Sequence, residues 1–187
     1  MDARSLRRRA ATRLRVRLEQ ARAQALTLRF AGVRVHPRAR LARGVRVDVA
    51  PGGRLVLGPC AVAGGTVIEV GPAGRLELLG DFVGPGSVVV ARRSVRVGPG
   101  TLVAEMCVLR DSDHARASDG TIDPVAHDSA PVTVGAHCWL GARVTVLKGV
   151  SLGDGSTAGA GAVITRDVAA GSTVVGVPAR ALGGDGG

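Results

Sequence analysis

The sequence predicts an all-β solenoid of short parallel strands, preceded by one α-helix and interrupted by one extruded loop. Three observations carry this expectation. The C-terminal third repeats every six residues, the composition is rich in Val and Gly but almost free of aromatics, and the period fails at a single polar gap. With 187 residues the chain has room for one sizeable domain. Its 28 Gly and 29 Val stand against three aromatic residues. An ordinary core draws much of its buried area from aromatics, so this one must close on small and β-branched side chains. Only Phe30, Phe82 and Trp139 could stack a base, which argues against nucleic acid as a partner.

Residues 1–30 read as a basic amphipathic helix. Leu14, Leu18, Ala21, Ala25 and Leu28 recur at spacings of four and three and form one stripe, with Arg8, Arg15, Arg22 and Arg29 beside it at intervals of seven. Nine arginines against Asp2 and Glu19 give this segment +7 of the chain's +10. The stripe is expected to pack against the protein's own body or a neighbouring subunit, with contact with a membrane surface and a frayed tail as the weaker alternatives.

From Val134 the chain divides into sixes: VGAHCW, LGARVT, VLKGVS, LGDGST, AGAGAV, ITRDVA. The first position is aliphatic (Val134, Leu140, Val146, Leu152, Ala158, Ile164) and the fifth is small or β-branched (Cys138, Val144, Val150, Ser156, Ala162, Val168). A period of six fits neither a helix nor a simple alternating strand. It fits a chain that turns a corner every six residues, with three segments closing a triangular coil of 18. An earlier block keeps the pattern in another phase, with Leu79, Val97, Val103 and Leu109 leading and Val83, Val95, Thr101 and Cys107 fifth. Upstream the repeat loosens, but PGGRLVLG (51–58) still resembles PAGRLELLG (72–80), which extends it to about residue 45. The domain is therefore bounded at 31–182, with residues 183–187 as a flexible tail.

The three cysteines, Cys60, Cys107 and Cys138, form no C-x-x-C pair, and two of them fall at the small fifth position, as core residues would. No apolar run reaches the length of a membrane span, and no secretory signal is recognisable. A reducing cytoplasm is the default compartment. Between Leu109 and Pro131 the segment RDSDHARASDGTIDPVAHDSA has no six-residue phase. A polar loop extruded from a rigid scaffold is where function is expected, and His114 stands at its mouth.

The segments PVTVGAHCWLGARVTVLKGVSLGDG (131–155), GAGAVITRDV (159–168) and GVPARAL (176–182) resemble the C-terminal half of the hexapeptide-repeat acyltransferases. The likeness is to the maltose, galactoside and nodulation O-acetyltransferase group. It implies a left-handed parallel β-helix, although crossovers are usually right-handed. It also implies a homotrimer with active sites between subunits, and acetyl-CoA or another acyl-CoA as co-substrate, with no metal. VLRDSDH matches the junction bearing the group's catalytic histidine, so His114 would take the proton of an attacking hydroxyl and return it to the departing thiolate. Asp111, Asp113, Glu105 or a loop carbonyl would orient its second nitrogen. Positions matching the group's CoA contacts are Trp139, Ala142, Ala160, Thr165, Arg166 and Arg180.

The acceptor is expected to carry a hydroxyl on a sugar, sugar derivative or natural product. The stretch GPGSVVVARRSV (84–95) lacks the Asn and aromatics of the sugar-acetylating members, which points away from a plain hexose. Arg92 and Arg93 read as a solvated pair, or as contacts to an anionic acceptor. His127 has a weaker claim to acceptor binding, and His36 and His137 read as structural. An N-acyltransferase acting on an amino sugar or other amine would use the same parts. A zinc protein like the γ-carbonic anhydrases, with His114, His127 and His137 as ligands, and a catalytically silent solenoid complete the alternatives.

Overall fold

The structure, a computed structural model, describes residues 3–183, with side chains from residue 8 onward. Helix α1 (Ala3–Arg29) leads into short strands that stack into three parallel sheets, the faces of a triangular prism. Each coil visits the faces in turn. One coil, for example, runs through Val132–Val134 on the first face, Trp139–Leu140 on the second and Thr145–Val146 on the third. The next coil is in register: Val134 pairs with Leu152, Leu140 with Ala158 and Val146 with Ile164, 18 residues apart in each case.

Both repeat positions point inward, which explains the composition. The leading aliphatics Val134, Leu140 and Val146 and the fifth residues Cys138, Val144 and Val150 are all at most 2% exposed. A corner between two faces leaves space only for a small or β-branched residue, and the stacked faces leave one continuous aliphatic column. Each buried Leu or Val supplies about 1.5–3 kcal/mol of apolar transfer energy, so the column needs no aromatic ring.

Upstream the coil is longer. Val62 pairs with Val83 and Leu41 with Val62, 21 residues apart, because two faces there carry four-residue strands such as Arg54–Leu57 and Val67–Val70. The likeness of 51–58 to 72–80 is this stacking, with Leu55 on Leu76 and Leu57 on Leu78. The prism begins at Val33, earlier than residue 45. The register upstream differs from the expected one at two positions. Leu78, not Leu79, occupies the inward position under Val97, and Val83 leads its segment rather than closing it. The longer strand Arg75–Leu78 absorbs the extra residue.

The helix presents a different face from the one expected. Ala23 and Leu26 are buried, with Val16, Glu19, Gln20 and Phe30 half-buried, and they lie against the first coil. Glu19 reaches Arg15 and Arg40, and the Gln24 amide donates to the His36 carbonyl. The expected stripe points away instead: Leu14, Leu18 and Leu28 are 60%, 48% and 91% exposed. The end of a solenoid exposes core and strand edges and requires a cap, and the polar–apolar face of α1 bonds to that edge as the leucine stripe could not. The expected tail lies, apart from Gly183, outside the described residues.

Candidate active site

The gap in the repeat is a β-hairpin rather than an irregular loop. Ser112–Arg116 pairs antiparallel with Ile122–Ser129, joined through Asp119-Gly120. Gly120 takes φ +85°, and Asp119 Oδ1 accepts hydrogen bonds from the Thr121 N–H and hydroxyl. The hydroxyl bond, with the amide bond behind it, holds the Asp119 carboxyl below its ordinary range. Asp-Gly between two strands is a strong turn signal and could have identified the hairpin.

Asp111 secures the exit of the hairpin from the prism. Its carboxylate is fully buried and accepts backbone N–H bonds from Arg92, Arg93 and Ser94 at 2.8, 2.7 and 2.6 Å. Those amides turn the corner of the preceding coil, and with the chain leaving for the hairpin a side chain must satisfy them. Asp167 acts similarly at the same edge two coils later, accepting from Ser151 N–H. At the hairpin's foot Lys148, the only lysine in the chain, bridges Asp128 and Asp113. These aspartates face each other across the strands, so the ammonium relieves a like-charge pair. The bond to Asp128 is the main cause that raises the Lys148 pKa.

His114 lies directly opposite His127, with ring centroids 4.8 Å apart and planes tilted by 34°. Beyond this pair the second strand bulges, with Asp123–Ala126 standing opposite Ala115 alone. Bulges of this kind re-aim the groups beside them, and this one brings the Asp123 carbonyl oxygen to 3.2 Å from His114 Nδ1. A carbonyl can only accept, so in the neutral imidazole Nδ1 carries the proton and Nε2 keeps its lone pair. The Asp123 carboxylate accepts from Val125 and Ala126 N–H, which fixes the bulge. Those amides hold its pKa below the usual carboxylate range, with a smaller contribution from both imidazoles.

The three named orienters of His114 have other placements. Asp111 is committed to the backbone of the preceding coil and Asp113 to Lys148. Glu105 is exposed at a different corner, where its own carbonyl bonds Arg143 N–H. Of the four possibilities, the loop carbonyl is the one within reach. Sequence reasoning missed Asp123 because a backbone carbonyl leaves no mark on residue type. His137 is exposed at another corner with φ +54°, its ring over Gly100, apart from the His114–His127 pair. Among the described residues no group of three His, Cys, Asp or Glu side chains gathers to hold a metal ion.

The CoA-matching positions divide between two edges of the prism. Trp139 is 56% exposed on the second face, in register with Leu102 below and Thr157 above. Ala142 and Ala160 follow at the next corner, where Ala142 carbonyl accepts from Gly161 N–H. That corner takes left-handed backbone in every coil, using Gly44, Gly65, Gly86 and Gly161, but Met106 (φ +55°) and Arg143 (φ +60°) in the coils flanking the hairpin. Thr165 and Arg166 occupy the other edge, the corner shared by Arg92, Arg93, the hairpin and Lys148. Arg166 and Arg180 line one cleft with Ile164, Ser172 and Val174 at the C-terminal end of the core. Within one chain, therefore, His114 shares an edge with Arg166, whereas Trp139, Ala142 and Ala160 sit across a face from it.

Comparison with known proteins fits this architecture. Residues 131–166 match the family model described as the hexapeptide repeat of succinyl-transferase. Over these residues the chain is similar to the hexapeptide-repeat acyltransferases. Galactoside O-acetyltransferase of Escherichia coli (strain K12) is 30% identical over 102 residues, covering 50% of this chain and 46% of that protein. The chain thus spans about half the length of this curated relative. Among solved structures, a mutant of AntD, an N-acyltransferase from Bacillus cereus in complex with dTDP-4-amino-4,6-dideoxyglucose and coenzyme A, superposes with TM-score 0.71. It is 13% identical and covers 85% of this chain and 86% of its own. A galactoside acetyltransferase in complex with coenzyme A gives TM-score 0.52 at 21% identity, covering 78% and 64%. These structural likenesses carry the fold, a left-handed β-helix.

Proposed function

We propose that the protein is an acyl-CoA-dependent acyltransferase that moves an acetyl group to a hydroxyl, with His114 as the general base. The observation that carries this reading is the His114–Asp123 contact. It presents an exposed imidazole with Nδ1 protonated and Nε2 ready to accept a proton. The acyl-CoA would supply a thioester carbonyl. As the acceptor oxygen bonds to that carbon, its proton passes to Nε2, the C–S bond breaks, and the proton then goes to the thiolate. No covalent enzyme intermediate is required. Cys107 is fully buried with its thiol pKa raised by burial, which disfavours a thiolate nucleophile.

The residues present suit such a donor. Arg166 and Arg180 in one cleft offer paired guanidiniums to phosphates. The small side chains of Ala142 and Ala160 leave the corner backbone approachable by an amide-bearing arm. Because Trp139, Ala142 and Ala160 lie a face away from His114, a complete site requires a second chain to bring its edge alongside, and a homotrimer provides this. The fold-level likeness to galactoside acetyltransferase supports the same reading.

A second reading is N-acylation. It is favoured by the higher structural similarity to AntD, whose complex contains an amino sugar linked to dTDP. Arg92 and Arg93 stand at the hairpin foot, where an anionic acceptor could meet them. Both readings are tested by incubating the protein with acetyl-CoA and panels of hydroxyl and amine acceptors, nucleotide-linked sugars included, and weighing the products. Ester products on hydroxyl acceptors are expected. Amide products alone would replace the first reading with the second, and no acceptor-dependent thiol release would overturn both.

A further inference from the structure

The helix that caps the prism has two apolar faces, and only one is used. Taking 3.6 residues per turn, Ala23, Leu26, Glu19 and Phe30 cluster about one direction, the side held against the first coil. Leu14, Leu18, Ala21, Ala25 and Leu28 cluster about 200° away and are all exposed. This stripe runs about 21 Å along the helix. On one flank lie Arg8, Arg15, Arg22 and Arg29, and on the other lie Arg13 and Arg17, all exposed. Glu19, the one acidic residue on the described helix, is turned to the body and engaged by Arg40 and Arg15. The outward face is therefore leucine bordered on both sides by arginine.

We infer that this outward face of α1 docks the protein on an anionic lipid surface, with the leucines entering the headgroup boundary and the arginines pairing with lipid phosphates. Charge complementarity selects this occupant. A second copy pairing through the same stripe would bring its arginine rows against these, whereas anionic headgroups match both flanks and admit the leucines. Arginine stems can lie along the apolar surface while their guanidiniums reach upward to phosphate. The helix lies along the surface rather than crossing it: no helix among the described residues is long and apolar enough to span a membrane.

The test is co-sedimentation of the full chain with phosphatidylglycerol–phosphatidylcholine vesicles and with phosphatidylcholine vesicles, beside the Leu14→Ser/Leu18→Ser/Leu28→Ser triple variant. Binding to the anionic vesicles, loss of binding in high salt, and weakening on the order of a hundredfold in the triple variant are expected. The circular dichroism spectrum and molecular mass of the triple variant should be unchanged. Absence of preference for anionic vesicles would overturn the proposal, as would undiminished binding by the triple variant. A smaller oligomer in the triple variant, with no vesicle binding by the parent, would also overturn it and assign the face to a subunit contact.

Discussion

His114 Nδ1 faces the backbone carbonyl of Asp123 at 3.2 Å, across a bulge that the Asp123 carboxylate itself holds in shape. The same residue therefore fixes the tautomer through its main chain and the loop geometry through its side chain. Asp123→Ala should release the Val125 and Ala126 amides and let the carbonyl drift from the ring. The expected result is a fall in kcat of about tenfold or more with little change in KM for acetyl-CoA, and Asp123→Asn should restore part of the loss. Steady-state kinetics of both variants check this.

The depressed pKa of Asp123 gives the bulge a pH dependence. A carboxyl whose folded pKa is lowered contributes order that is present above its unfolded value near 4 and is lost as pH falls through the folded value. Amide exchange at Val125 and Ala126 should be protected equally from pH 7 down to about 4, after correction for intrinsic rates, and protection should fall below that. Protection unchanged to lower pH would show that the carboxylate does not hold the turn.

Lys148 ties both hairpin strands to the prism. Its raised pKa means that the tie is complete below the ordinary lysine value and is lost as pH rises through the folded value. Lys148→Met should leave Asp113 and Asp128 opposed without a cation. Hydrogen exchange should accelerate across Ser112–Arg116 and Ile122–Ser129 while the stacked coil strands keep their protection.

The buried thiols give a sharper chemical test. All three cysteines are free and at most 2% exposed, and burial pushes the Cys60 thiol up to about 11. A thiol reagent at pH 8 should leave the native protein unlabelled, and all three should react once denaturant opens the coils. Fast labelling of Cys107 in the folded protein would contradict its place in the core.

The core and the corners should respond differently to substitution. Leu140 is fully buried between Val103 and Ala158, so Leu140→Ala should cost about 2–5 kcal/mol in denaturant unfolding. Arg143 holds a left-handed angle where other coils use Gly, so Arg143→Gly should change stability by no more than about 1 kcal/mol.

Much of this was legible in the sequence where side chains alone decide the structure. The six-residue period from Val134 onward appears as 18-residue coils, because each face there holds a two-residue strand and one inward aliphatic. Upstream, four-residue strands stretch the coil to 21, so a six-residue frame misplaces Leu79 by one position and makes Val83 a fifth residue when it leads. The helix stripe was correctly seen as apolar, but the body takes the opposite face, because capping a strand edge needs Glu19 and Gln24 as much as leucine. His114 was singled out from its motif, and the structure places it on the hairpin. Its contact to Asp123 was not, because backbone carbonyls are silent in sequence, and Asp111 looked like a catalytic partner although its buried carboxylate serves three backbone amides.

The central claim is that His114, held by Asp123 on the extruded hairpin, is the base for acyl transfer. The most direct measurement is thiol release from acetyl-CoA, in the presence of an accepted substrate, by the parent protein and by His114→Ala, alongside calorimetric CoA binding by both. A fall in turnover of about 10²–10⁴-fold is expected, with CoA affinity nearly unchanged. Full turnover by His114→Ala would contradict it.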